Sequence, residues 1–136
     1  MLTQAERDAF DALLEDVLAE LPEHVTQQLE ELPVIVEDEL GAALRAELGL
    51  ADDEDLLGLY SGDALPDRAD PTPYADHVLI FRGPIMRLAE MHALSQRNDP
   101  QAYEHELARQ VRITLLHELG HHYGLDEDDL DQLGYA

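Results

Sequence analysis

The chain has 136 residues and a formal net charge of −23, from 31 acidic and 8 basic residues, and all eight basic residues are Arg. A surface this acidic repels phosphate backbones and anionic membranes, so neither nucleic acid nor a membrane is expected as a partner, whereas cationic peptides and metal ions are favoured near it. The simpler explanation of the charge is a solvated acidic shell that serves solubility.

The length predicts one domain, residues 1–136, with a core of Leu, Val, Ile and Ala because aromatic residues are scarce. The chain has no Cys, which excludes disulfides and thiolate metal ligands. The N-terminus lacks the pattern of a signal peptide, and no apolar run approaches the roughly 20 residues that span a bilayer. A cytoplasmic protein is therefore expected, and its oligomeric state is left open.

The first part of the chain alternates helical and extended patterns. Residues 3–20 predict an amphipathic helix, with Thr3 and Glu6 forming a capping box. A second short helix is predicted over 23–31. The β-branched residues at 34–36 predict a short strand.

The middle of the chain gives weaker signals, and then one clear strand. Residues 38–49 have a modest helical pattern, and the acidic run at 52–55 is predicted to cap or lead into a helical turn containing Leu56 and Leu57. A loop rich in Pro and Asp follows, as far as Tyr74. Residues 77–82 give the clearest strand pattern in the chain.

The C-terminal half is predicted to be mainly helical. Gly83 and Pro84 are expected to end or bend the strand before a helix over 85–97. The last long helix is predicted from about 100 to 123, with a short acidic helix over 127–133 after it. Asp99 is the expected N-cap, Pro100 the first helical residue and Gly124 the C-terminal cap.

An H-E-x-x-H pattern lies inside this last helix, from His117 to His121. Residues four apart on a helix share one face, so these two imidazoles can bind the same metal ion. Glu118 projects close to that face. This arrangement is typical of zinc peptidases, in which the metal lowers the pKa of a water molecule and the Glu accepts its proton as general base. One Zn²⁺ ion is predicted, although another divalent ion would also fit.

The third ligand is predicted just beyond the helix. The chain reads H-E-x-x-H-x-x-G-x-x-E, and Gly124 can adopt the left-handed conformation that turns Glu127 back towards the metal. Glu127 is the preferred third ligand. Other acidic residues of the same segment remain alternatives, namely Asp126, Asp128, Asp129 and Asp131.

Other polar residues receive weaker assignments. His122 lies about 100° round the helix from His121, so a surface or packing role is expected. His24, His77, His92 and His105 lack partner spacing and are interpreted as structural or solvent-facing residues. The candidates for stabilising an oxyanion are Tyr60, Tyr123, Tyr135 and Arg112. The strand over 77–82 could run beside the active-site helix, and its edge could bind substrate as an added strand. An ordinary core strand is the favoured interpretation of its individual residues.

Four blocks carry a resemblance to a known family: Leu-Pro-Val-Ile-Val-Glu-Asp-Glu (32–39), Asp-Leu-Leu-Gly-Leu-Tyr (55–60), Ile-Phe-Arg-Gly-Pro-Ile (80–85) and the His-rich block at 111–125. Through them, most of the chain beyond residue 10 resembles the minimal zincin-like metallopeptidases, small acidic single-domain bacterial proteins. The resemblance implies an α+β zincin-like fold, with a small sheet packed on helices that include the active-site helix. It also implies the two His ligands, the Glu base and a downstream acidic ligand. Unlike larger zincins, the chain has no Met after the motif.

The leading functional hypothesis is a zinc-dependent metallopeptidase that hydrolyses peptide bonds, with a peptide or protein as substrate. The alternative is a catalytically weak or inactive zincin-fold module that binds a metal or a partner. A third hypothesis is an acidic interaction protein in which the His and Glu residues are incidental. The sequence specifies neither the substrate nor its cleavage preference.

Overall fold

The computed structural model describes residues 1–61, 76–96, 98–124, 126 and 128. In these ranges the chain is α+β, with five helices and a small sheet. The elements in chain order are α1 (Gln4–Glu20), α2 (Glu23–Glu31), β1 (Val34–Glu37), α3 (Ala42–Glu47), β2 (Gly58–Ser61), β3 (His77–Phe81), α4 (Arg82–Ala93) and α5 (Ala102–His122). None of the helices in these ranges has both the length and the apolar character that crossing a bilayer requires.

The sheet has the order β1-β3-β2 within the described residues. β1 is parallel to β3, with Val34 opposite Val78, and β2 is antiparallel to β3, with Gly58 opposite Ile80. The central strand is the most buried, because Val78 and Ile80 are both 0% exposed. β3 is therefore paired on both sides, and β2 is an outer strand.

Helix α5 connects the core to the functional motif. It packs against α4, α1, β2 and β3. Its apolar face, which includes Val111, Leu115 and Leu119, is buried against residues such as Ile85 of α4 and Phe10 of α1. A helix fixed by so many buried contacts presents its side chains in a defined direction. The residues at its C-terminal end therefore have a rigid support.

The helix α1 begins as the sequence predicts. The hydroxyl of Thr3 accepts a hydrogen bond from the Glu6 backbone N–H at 3.1 Å, and the Glu6 carboxylate accepts one from the Thr3 N–H at 2.9 Å. The predicted capping box is confirmed. The predicted helix over 23–31 and the strand at 34–36, which extends one residue further, are also confirmed.

One local prediction in the middle of the chain is wrong. Leu56 and Leu57 are not in a helical turn; they lead into the strand β2, which the sequence did not predict. The helix predicted over 85–97 is confirmed, but its bounds differ, because α4 begins at Arg82 and ends at Ala93. Gly83 and Pro84 lie in its first turn, where Pro is tolerated because that turn's N–H groups have no intrahelical acceptor.

The start of α5 also differs from the prediction. Gln101, and not Asp99, is the N-cap, and Ala102, and not Pro100, is the first helical residue. The Asp99 carboxylate accepts the Gln101 backbone N–H at 2.9 Å, and the Asp99 carbonyl accepts the Ala102 N–H at 3.1 Å. These bonds form a turn that comes before the helix.

Charged groups join the helices to the loops around the sheet. Arg82 binds both carboxylate oxygens of Asp11 at 2.8 and 2.9 Å, and it donates to Asp38 at 3.0 Å. Arg7 donates to the other oxygen of Asp38 at 2.8 Å. The Arg7 guanidinium is the main reason that the pKa of Asp38 lies below its ordinary value. This network ties α1 to the start of α4.

Candidate metal centre and substrate groove

His117 and His121 converge on one point. They lie one turn apart on α5, and their Nε2 atoms are 3.1 Å apart. Two nitrogens that bind one tetrahedral zinc at about 2.0–2.1 Å lie about 3.3 Å apart, so the observed separation needs only a small adjustment to accept an ion. The rings are inclined at 80° with centroids 4.8 Å apart. The imidazoles therefore fit a shared metal ion.

Glu118 completes the group. Its carboxylate and a ring nitrogen from each His lie within 4.8 Å of one another, and the residue is 6% exposed. Within the described residues, this is the cluster of His, Asp and Glu side chains whose geometry could hold a metal ion. The H-E-x-x-H interpretation of the sequence therefore agrees with the arrangement in space.

The strand β2 lies very close to α5 at Gly58. A Cβ atom at Gly58 would lie 2.7 Å from Thr114 Cγ2, 2.9 Å from the Leu79 carbonyl oxygen and 3.4 Å from Glu118 Cγ. Only a residue without a side chain lets β2 approach α5 this closely. The outer strand thus lies directly over the helix face that carries Glu118.

The turn that should deliver the third ligand is present. Gly124 has a φ of 80°, and its N–H donates to the His121 carbonyl at 3.0 Å, which ends α5 as predicted. Glu127, the preferred third ligand, lies outside the described residues, as do Asp129 and Asp131. Asp126 and Asp128 are exposed. The predicted acidic helix over 127–133 is described only at Asp128, so the third ligand stays a prediction.

A groove of about 670 Å³ opens above the helix face that carries His117, Glu118 and His121. One wall is β2 together with the segment before it, and the other consists of α5 and part of α4. Its lining residues are Asp55, Leu56, Leu57, Gly58, Leu59, Tyr60, Leu88, His92, Arg109, Gln110, Ile113, Thr114, His117, Glu118 and His121. The groove is mostly apolar between its two ends, which suits a peptide segment better than a small polar molecule.

A polar contact fixes β2 to the end of α5. The Tyr60 hydroxyl donates to Asp76 at 2.7 Å and lies 3.0 Å from His122 Nδ1. The Tyr60 and His122 rings meet edge to face at 5.3 Å. His122 of α5 therefore packs against β2, so of the two predicted roles, surface and packing, the structure supports packing. The sequence did not indicate Asp76, whose contacts join residues far apart along the chain.

The structure places the described candidates for stabilising an oxyanion at different positions relative to the groove. Tyr60 lines the groove, but its hydroxyl contacts Asp76 and His122. Tyr123 and Arg112 are exposed and are not among the described lining residues, and Tyr135 lies outside the described residues. Tyr60 is the candidate that the described part of the chain brings to the groove.

The possible use of the 77–82 strand as a substrate-binding edge is wrong, and the favoured alternative of an ordinary core strand is confirmed. The strand β3 is paired on both sides, and within the described residues the outer strands are β1 and β2, of which β2 lines the groove. His92 is exposed, as predicted, and it also lines the groove. It lies 25 positions before His117, a separation that no local motif would have revealed.

The comparisons with known proteins agree with this geometry. The model of a family described as zincin-like metallopeptidase matches residues 29–135, which excludes α1 and the first part of α2. A search of curated proteins finds no match. The match covers the sheet, the groove and the whole H-E-x-x-H helix, so this chain belongs to the zincin-like metallopeptidase family.

Proposed function

We propose that this protein is a zinc-dependent metallopeptidase that hydrolyses peptide bonds, with His117 and His121 as metal ligands and Glu118 as general base. The observation that carries the proposal is the 3.1 Å separation of the two Nε2 atoms beside the Glu118 carboxylate, at one end of a groove large enough for a peptide. Membership of a metallopeptidase family supports the same activity.

Each residue has a distinct task in this proposal. When bound, zinc supplies Lewis acidity, which lowers the pKa of water towards about 7 and polarises a carbonyl group. The two imidazoles, held on one rigid helix, fix the position of the ion. Glu118 accepts a proton from the attacking water and returns it to the leaving amine. Its burial limits the water around the carboxylate and favours this exchange with the substrate.

Within the described residues β2 is paired with a strand on one side alone, and its other edge supports a peptide substrate. Its backbone groups can pair with an extended peptide, which places a peptide bond above Glu118 because Gly58 lies against that residue. The acidic surface would draw cationic segments towards the groove. We therefore propose an extended peptide segment as the substrate.

The third ligand in this proposal is Glu127, delivered by the turn at Gly124. Zinc affinity, measured by competition with a chromogenic chelator, should fall more in Glu127→Ala than in Asp129→Ala. The reverse order would assign the role to Asp129. The same assay on Asp126→Ala tests the alternative closest to the turn.

The central experiment compares wild type with Glu118→Gln after both have been loaded with zinc. The Gln variant should retain close to one equivalent of zinc by elemental analysis, but cleave a peptide library at least about 100-fold more slowly. Glu104→Gln, on the exposed face of the same helix, is the matched control and should behave as wild type.

Three results would alter the proposal. Equal cleavage by wild type and Glu118→Gln would show that the general base is wrong. Stoichiometric zinc without cleavage by wild type would favour the alternative of a metal-binding or partner-binding module. The absence of zinc binding by wild type would reject the metal centre.

A further inference from the structure

The groove has chemically different ends. One end holds His117, Glu118 and His121. The other holds His92, Arg109 and Gln110, whose side chains carry N–H groups and which are named here the donor end; the Gln110 amide nitrogen lies 3.4 Å from His92 Nδ1. The other described lining residues are mainly apolar, and the carboxylate among them, Asp55, is paired with Arg87 at 3.1 Å. Arg109 is the one Arg among the described lining residues, in a chain whose net charge is −23.

The carboxylate of Glu106 lies beside His92 and Arg109 of the donor end. The residue is 8% exposed, and one carboxylate oxygen accepts from Gln96 at 3.0 Å. Its other oxygen has no hydrogen-bond partner among the described residues and lies 3.5 Å from His92 Nδ1 and 3.6 Å from Arg109. This buried carboxylate attracts both side chains but does not occupy the groove. The outer N–H groups of Arg109, whose side chain is 58% exposed, remain available to a ligand.

The direction of β2 decides which end of a peptide would reach these donors. Gly58 lies against Thr114 and Glu118, whereas Tyr60 contacts His122, so β2 and α5 advance in the same sense. A peptide that pairs antiparallel with β2 runs in the opposite sense, with its C-terminal side towards Arg109. Antiparallel pairing is the slightly more stable arrangement. Parallel pairing would instead bring an amino terminus to the guanidinium, which repels it.

From this polarity we propose that the donor end binds a carboxylate on the C-terminal side of the cleaved bond. The proposal rests on the proposed peptidase function. The carboxylate is either the free C-terminus of a short peptide or an Asp or Glu side chain. The strongly acidic surface disfavours substrates with several negative charges, so one carboxylate among apolar residues is the expected pattern.

The spacing sets the length of the fragment. Arg109 and His117 are eight residues apart on α5, or about 12 Å at about 1.5 Å per residue. An extended peptide covers this distance in three or four residues at about 3.3 Å each. Cleavage at the metal should therefore release C-terminal fragments of about this length from substrates with a free terminus.

The test uses three pools of hexapeptides randomised among alanine, leucine, phenylalanine and threonine. The pools end in a free carboxylate, in an amide, or in glutamate followed by an amide. Binding is measured with zinc-loaded Glu118→Gln protein by affinity retention, and cleavage with zinc-loaded wild type by mass spectrometry, both at about 0.15 M salt so that long-range charge effects are screened. At least one carboxylate pool should be preferred over the plain amide pool by about fivefold or more.

Arg109→Gln, made both in wild type and in the Glu118→Gln protein, should abolish the preference for the carboxylate pools. Arg109→Lys should retain part of this preference. Arg112→Gln is the matched control, because Arg112 is also exposed on α5 but is not among the described groove residues. Equal binding of all pools, or a preference that survives Arg109→Gln, would overturn the carboxylate site. A preference in binding without any cleavage would support the site and count against the peptidase proposal alone. The two carboxylate pools distinguish a terminal group from a side chain.

Discussion

The substitution Gly58→Ala tests the close contact between β2 and α5. The added carbon would lie 2.7 Å from Thr114 Cγ2 and 2.9 Å from the Leu79 carbonyl oxygen. Ordinary contacts between such atoms are about 3.5–4.0 Å, so strand and helix must separate by roughly 1 Å. Overpacking of this kind costs about 1–3 kcal/mol of the free energy of unfolding. The expected fall in Tm is roughly 3–4 °C for each kcal/mol.

The assay is urea denaturation followed by circular dichroism, with Gly41→Ala as the control. Gly41 has a φ of −67° and nothing within 4 Å of an added Cβ, so that change should alter stability by less than about 1 kcal/mol. Thr114→Ser removes the clashing methyl group but keeps the hydroxyl that donates to the Gln110 carbonyl at 2.7 Å. It should partly rescue Gly58→Ala, because the contact with the Leu79 carbonyl remains.

The reasoning is refuted if Gly58→Ala and Gly41→Ala unfold at the same urea concentration. That result would mean that β2 does not lie tightly on α5, and the groove wall would lose its support. A full rescue by Thr114→Ser would show that the Leu79 carbonyl can move away at little cost.

Three further predictions concern the rest of the fold. Because Arg7 lowers the folded-state pKa of Asp38, the contribution of this carboxylate is present above its unfolded pKa of about 3.9 and is lost as the pH falls through the lower folded value. The difference in the free energy of unfolding between wild type and Asp38→Asn should therefore become smaller below about pH 4, in denaturation series at pH 6, 4 and 3. A difference that stays constant with pH would contradict the pairing of Asp38 with Arg7. Phe10→Ala should cost about 3–5 kcal/mol in the same urea assay, because Phe10 is 1% exposed in the core; a loss below about 1 kcal/mol would make α1 peripheral. Thr3→Ala should cost about 1 kcal/mol by removing the capping box with Glu6, and no change would show that the cap is not formed in solution.

The elements with strong local signals could be predicted from the sequence. The capping box at Thr3, the β-branched run of β1 and the H-E-x-x-H spacing all depend on residues within one or two turns of each other. The candidate metal-binding pair, His117 and His121, belongs to this group, because helical geometry alone brings side chains four residues apart together. The resemblance to the zincin-like family is confirmed for the same reason, since its most specific block lies in α5.

The elements that depend on distant contacts could not be predicted. The strand β2 contains Leu, Gly and Tyr but no β-branched residue, and it forms through pairing with β3 and the space that Gly58 leaves for α5. The central position of β3 likewise depends on the order of strands, which no local pattern gives. The donor end joins His92 of α4 to Arg109 of α5, so it exists only after the two helices have packed.

The placement of both imidazoles on one helix has a consequence for folding. Their convergence needs only the last turns of α5 to form, whereas the groove wall needs contacts such as that between Tyr60 and His122, which are 62 positions apart in the chain. Loop closure over such a distance has a large entropic cost. Partial unfolding that releases the sheet would therefore leave the two imidazoles together but remove the β2 wall of the groove first.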